Sequence, residues 1–315
     1  MRLIMKIGFL FPGQGAQSVG MGKDLYEKYP EYRNIYEKVN EITGRKIDEL
    51  TFNGAEEELN QTKNTQITIL TMSLAILEIL KKNNISAEAS MGLSLGEYTA
   101  LIYSGAISFE DGIKIVQKRG ELMQNLCPQG DWAMAAIMGL DENKIREICT
   151  NITSGFVIPA NFNCPGQIVI SGERTAVLEA IEKAKQEGAK KAMELKTSGP
   201  FHTSKLTVAS EELRKELENI EIGQFETKVV KNIDGKPYEK QDNVKEILAN
   251  HIINPVRFAD GLQTMIDMGI DTFIEIGPGK TLSGFVKRTS KDVKILNINN
   301  VASLENILNG GLENE

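Results

Sequence analysis

"MGLSLGEYTAL", residues 91–101, runs from an apolar lead-in through Gly92-Leu93-Ser94-Leu95-Gly96 into good helix formers. The five central residues satisfy G-x-S-x-G, the pattern of a serine held on a strained turn whose flanking glycines let a strand and a helix pack closely. The pattern alone arises by chance in roughly one chain in ten of this length, so its surroundings decide. A strand-like approach, an immediate helix, and Glu97 in the first turn, where a carboxylate complements the helix dipole, favour a nucleophile over a loop serine.

The same strand, turn, helix grammar extends outward. A strand is expected at 7–11, a helix from about 65 to 82 with its cap near Thr65, a short strand into Gly92, and helices at 95–104, stopped at Gly105, and 109–126. Near the C-terminus "DTFIEIG" followed by "PGKTLSGFVKR" repeats the grammar. Such alternation predicts an α/β fold with a mainly parallel sheet. The middle of the chain differs: strand 132–138, helix 141–149, strands 156–160 and 167–171, helix 175–187 and strand 189–195. That β-α-β-β-α-β order is the ferredoxin-like one. Residues 128–197 are therefore expected to form a small inserted domain, residues 1–127 and 198–315 the larger one, with a substrate cleft between them.

Composition narrows the function classes. A chain of 315 residues with 41% hydrophobic content can bury a large core. Its net charge of −7 and pI near 5.2 argue against a general nucleic-acid binder, which needs a basic face. Cys127, Cys149 and Cys164 are odd in number and widely spaced, fitting neither a disulfide framework nor a zinc site, and point to reduced thiols in a cytoplasm. The opening "MRLIMKIGFLF" is too short in apolar residues for a signal peptide and reads as a first strand, with Met5 an alternative initiator. The most apolar stretch, 67–80, is interrupted by Thr68, Thr71, Ser73 and Glu78 and is too short to span a bilayer.

A serine nucleophile needs a base at neutral pH, and histidine is the usual one. The chain has two, His202 in "TSGPFHTSKL" and His251 in "LANHIINPVRF", and spacing does not choose between them. On the helix expected at 109–126, Arg119 falls at the centre of the apolar side formed by Ile115, Val116, Leu122, Met123 and Leu126. No carboxylate stands three or four residues away to neutralise it. Three readings stay open: a long-range structural ion pair, a side chain that snorkels to water, or a fork for a substrate carboxylate.

Two glycine-rich stretches imitate nucleotide loops. "FPGQGAQSVG" fails G-x-G-x-x-G because Ser18 stands at the third glycine; its amides, Gln14 foremost, suit an oxyanion hole instead. "IGPGKT" at 276–281 fails the Walker pattern because Ile274 occupies the position of the first glycine.

Taken in order, "FLFPGQGAQSVGMG" (9–22), "GLSLGEYTAL" (92–101), "RGELMQ" (119–124), "NFNCPGQIVISG" (161–172), "GPFHTSKL" (199–206), "NPVRF" (254–258) and "EIGPGKTLSGFVKR" (275–288) resemble the malonyl-CoA:acyl carrier protein transacylases and the related acyltransferase domains of polyketide synthases. The resemblance runs nearly the whole chain. It implies an α/β-hydrolase-like large domain with a ferredoxin-like insertion. It also implies transfer of malonyl from malonyl-CoA to the phosphopantetheine thiol of acyl carrier protein, no cofactor or metal, and a monomer. Carried over by motif, Ser94 is the acylated nucleophile and His202 its base. The backbone amides of Gln14 and Leu95 make the oxyanion hole, and Arg119 holds the malonyl carboxylate. Asn161 and Asn163 line the cleft, and Phe201 leaves no room for an α-methyl group. The sequence departs from the family at Leu93, where most members have histidine, and at His251, where glutamine is usual and a main-chain carbonyl orients the catalytic histidine. Because the carriers of these families are acidic, docking is expected near Lys287, Arg288 and Lys291.

Overall fold

Ile7–Phe11 (β1) lies at the centre of a parallel sheet, and its unbroken apolar run suits a strand covered on both faces. The structure, a computed structural model, describes residues 5–197 and 199–312. The outer ends of the expected larger domain, 1–4 and 313–315, and its resumption at 198 lie outside the described residues.

The other strands are Ala89–Gly92 (β2), Trp132–Met138 (β3), Val157–Cys164 (β4), Gln167–Glu173 (β5), Lys191–Glu194 (β6), Lys228–Val230 (β7), Thr272–Ile276 (β8) and Lys294–Ile298 (β9). One sheet has the order β7-β2-β1-β8-β9, every pair parallel. Register places Phe11, the last residue of β1, beside Gly92 at the end of β2, so both strands end at the serine turn. The second sheet, β4-β5-β3-β6, is antiparallel and comes from one continuous stretch of chain. The helices Glu142–Thr150 and Arg174–Gln186 pack on it around a separate apolar core that includes Ile137, Ile145, Ile170 and Ile181. Alternation along β3 divides its side chains. Ala133, Ala135 and Ile137 join that core, while Met134 and Ala136 join the main one.

The two boundaries furthest from expectation differ for physical reasons. The long helix spans Thr62–Lys82 and starts before Thr65, whose hydroxyl donates to the Leu59 carbonyl at 2.7 Å from inside the helix. It is buried on nearly every side, so no amphipathic stripe marks its first turn. Strand β4 continues past 160 to Cys164, because pairing with β5 through irregularities after Pro159 and Phe162 overrides the turn preference of two asparagines. That extension is what carries Asn161 and Asn163 into a wall of the site.

Candidate active site

Both glycines of G-x-S-x-G are sterically required. A Cβ on Gly92 would stand 1.9 Å from the Gly96 carbonyl carbon, and one on Gly96 would stand 2.1 Å from the Phe11 oxygen. Between them Ser94 adopts φ +51°, and His202, on the turn before the Thr207–Glu218 helix, adopts φ +60°. Non-glycine residues in this region cost roughly 1–3 kcal/mol and persist only where their surroundings hold them. The two meet: Ser94 Oγ lies 2.9 Å from His202 Nε2. On the other side of the ring, Nδ1 lies 3.0 Å from the His251 carbonyl and 3.2 Å from that of Asn254. Carbonyls only accept, so Nδ1 carries the proton and Nε2 is left to accept from the serine hydroxyl.

Arg119 sits on the buried face of the Phe109–Asn125 helix, 1% exposed. Gly120 permits this, since a Cβ there would come within 2.9 Å of Lys63 Cα on the neighbouring Thr62–Lys82 helix. The guanidinium donates to Gln66 Oε1 at 2.6 Å and to Ser94 Oγ at 3.0 Å, and lies 5.3 Å from the centre of the Tyr98 ring. Its hydrogen bonds go to neutral groups, and among the described residues it forms no ion pair. Burial excludes snorkelling to water. A cation desolvated in this way attracts an anion entering from the cavity.

That cavity, about 230 Å³, is lined by Ser94, Arg119, His202, Asn161, Asn163 and Phe201 together, and Gln14 and Leu95 border it as well. The Gln14 side chain donates to Thr62 Oγ1 at 3.3 Å, which ties its amide group to the start of the Thr62–Lys82 helix. Among the described residues no donor meets the buried Asn163 Oδ1. His251 does not line the cavity: its carbonyl meets His202, while its buried imidazole turns toward Glu97, with Nδ1 3.3 Å from Oε2. Lys287, Arg288 and Lys291 are exposed, and Arg288 reaches the rim by donating to Gln167 Oε1 at 2.9 Å.

The sequence reading passed over Gln66 and Asn232. Gln66 had a signal, an amide immediately before the apolar run at 67–80; Asn232, whose Oδ1 accepts the Ser94 N–H at 2.7 Å, had none. In the first glycine-rich stretch Gly13 is set by packing, whereas Gly15 has open space around it. A Cβ on Gly13 would strike the Leu93 oxygen at 2.3 Å. After "IGPGK", the buried Glu275 carboxylate accepts from the amides of Leu282 and Ser283, so the chain's own anion fills the helix N-terminus that a phosphate would need.

Burial, then the Arg119 charge, push His202 down to about 4, so its imidazole stays neutral far into acid. Protonation removes the Nε2 acceptor, so a reaction that uses this ring as its base should slow as pH drops through that value. For the free enzyme, kcat/KM of serine acylation should stay flat from pH 8 downward and decline only near about 4. Rapid-mixing assays over that range check this; an acid limb near 6.5, the ordinary histidine value, would refute it.

Residues 8–307 match the acyl transferase domain family. The malonyl CoA-acyl carrier protein transacylase of Bacillus subtilis is 42% identical over 302 residues, 95% of each chain. The solved malonyl CoA-acyl carrier protein transacylase of Clostridium perfringens superposes with a TM-score of 0.93 at 45% identity over 98% of each chain. A malonyl-transacylase solved in complex with its type II polyketide synthase acyl carrier protein gives 0.93 at 36% identity, covering 97% of this chain and 99% of that one. The chain belongs to the acyl transferase domain family and, within it, to the malonyl-CoA:acyl carrier protein transacylases.

Proposed function

We propose that this chain moves malonyl from malonyl-CoA to the phosphopantetheine thiol of acyl carrier protein, for fatty-acid synthesis, through a malonyl-Ser94 intermediate. The observation that carries the reading is one hydroxyl held by two groups: Ser94 Oγ lies 2.9 Å from His202 Nε2 and 3.0 Å from Arg119 Nη2. In this reading residues 1–127 and 198–315 are an α/β-hydrolase-like catalytic domain and residues 128–197 a ferredoxin-like insertion, supported by the strand orders and the separate small core. The chain acts as a monomer in the cytoplasm, and three unpaired cysteines suit that compartment.

His202 Nε2 takes the hydroxyl proton as Ser94 Oγ attacks the malonyl thioester carbon. The oxygen gains charge and is met by the amides of Gln14 and Leu95. The C–S bond breaks, and the CoA sulfur leaves with the proton from His202. In the second half the carrier's thiol gives its proton to His202 and its sulfur attacks the ester; the proton then returns to Ser94. One thioester replaces another, so the enzyme's work lies in the barrier and in keeping water out. Arg119 anchors the malonyl carboxylate by a charge-assisted fork. Phe201 fills the space an α-methyl group would take. Asn161 and Asn163 line the substrate cleft from the small domain, and the acidic carrier docks on Lys287, Arg288 and Lys291, with no metal or cofactor taking part.

Incubation with malonyl-CoA in the absence of carrier tests this by intact-protein and peptide mass spectrometry. The expected result is a lasting malonyl adduct on Ser94 that added carrier discharges. Rapid release of free malonate would make the chain a hydrolase and overturn the reading.

A further inference from the structure

The serine turn is gripped through its main chain by a side chain outside the cavity. Asn232 follows β7 and is wholly buried. Its Oδ1 accepts the Ser94 N–H at 2.7 Å, and its Nδ2 donates to the Gly92 carbonyl at 2.6 Å, so one amide clasps both arms of the turn. Asn232 is itself pinned. Its N–H donates to Glu97 Oε2 at 3.2 Å, its carbonyl accepts the Arg257 N–H at 2.7 Å, and Glu97 Oε1 accepts the Tyr238 hydroxyl at 2.7 Å. Ser94 needs such a hold because its φ of +51° is a conformation a serine leaves unless restrained. That dihedral also sets the direction of the next amide, Leu95.

We infer that Asn232 is a positioning residue of the transfer reaction: its paired bonds to the Ser94 N–H and the Gly92 carbonyl hold the turn so that the hydroxyl meets the reacting carbon while the Leu95 amide meets the carbonyl oxygen. The inference rests on Ser94 as the nucleophile. It requires an acceptor and a donor on one side chain. An ionised Asn232→Asp variant keeps the acceptor and loses the donor; when protonated, the same carboxyl supplies both. Asn232→Leu supplies neither at any pH.

The test is pre-steady-state malonylation from pH 8 to 5. At pH 8 Asn232→Asp should lose on the order of 10- to 100-fold in the acylation rate constant, with KM for malonyl-CoA changed less than about two-fold. As pH falls, the ratio of variant to wild-type rate should climb several-fold while the Asn232→Leu ratio stays flat. The charged and titratable groups around this position are Glu97, Tyr238, His251, Lys231, Arg257, Arg119 and His202, with Asp234 and Asp242 paired to Lys231. Burial pushes Glu97, which accepts from the residue 232 N–H, up to about 7, so it titrates within this range; Asn232→Leu, which keeps Glu97 and adds no carboxyl, is the reference that removes its contribution. A pH-independent ratio for Asn232→Asp, or a loss confined to KM, would overturn the inference. Amide hydrogen exchange on the wild type needs no variant to fold: the Ser94 N–H should be protected nearly to the level of global unfolding, and rapid exchange also overturns it. Peptide mapping of the wild-type adduct stands apart, since malonyl found on another residue would refute the nucleophile and not the clasp.

Discussion

Ser94→Ala should lower malonyl transfer by on the order of 10⁴-fold or more, because the covalent route disappears with the hydroxyl. His202→Ala should lose a comparable amount, since an unassisted serine hydroxyl is a poor nucleophile at neutral pH. The double variant should be little worse than either single one, because the two groups act as a unit joined by a 2.9 Å hydrogen bond. Steady-state transfer with carrier present measures all three, and melting curves confirm folding. Losses that multiply in the double variant would mean that the residues serve separate steps.

Arg119→Ala should separate substrates. With malonyl-CoA, kcat/KM should drop about 10²- to 10³-fold as a charge-assisted fork in a dry site is lost. Acetyl-CoA has no carboxylate for the fork, so its turnover should hold steady or rise. The physical basis is that Arg119 is 1% exposed and is met by neutral Gln66 and Ser94 rather than by an acid. Running both thioesters side by side reads the effect as a ratio, and an equal fall for both would discard the carboxylate role. Water should also reach the intermediate more easily once the acyl chain is no longer anchored.

What could be read from the chain divides along a physical line. Local grammar was legible wherever an element announces itself over a few consecutive residues. The strand at Ile7–Phe11, the elbow, the helix after it and the order of β3 to β6 depend on short-range preferences and periodicity. Arg119 was visible as a charge on an apolar helix face, though its three possible partners were not distinguishable from that face alone. Boundaries went astray where pairing or burial outweighed propensity, at the first turn of the Thr62–Lys82 helix and along β4.

By itself, then, the sequence determined the class of fold, the candidate nucleophile, the misplaced cation and the absence of intact nucleotide motifs, because each is written in contiguous residues whose spacing matches a helix, a strand or a turn. The approach of the His202 ring rather than that of His251 to a serine 108 residues away, the filling of a helix N-terminus by Glu275, and the clasp of Asn232 on a turn 138 residues away were decided only by the tertiary structure. Hydrogen bonds and ion contacts act over a few ångströms of space, and distance along the chain carries no record of which groups folding brings within that reach.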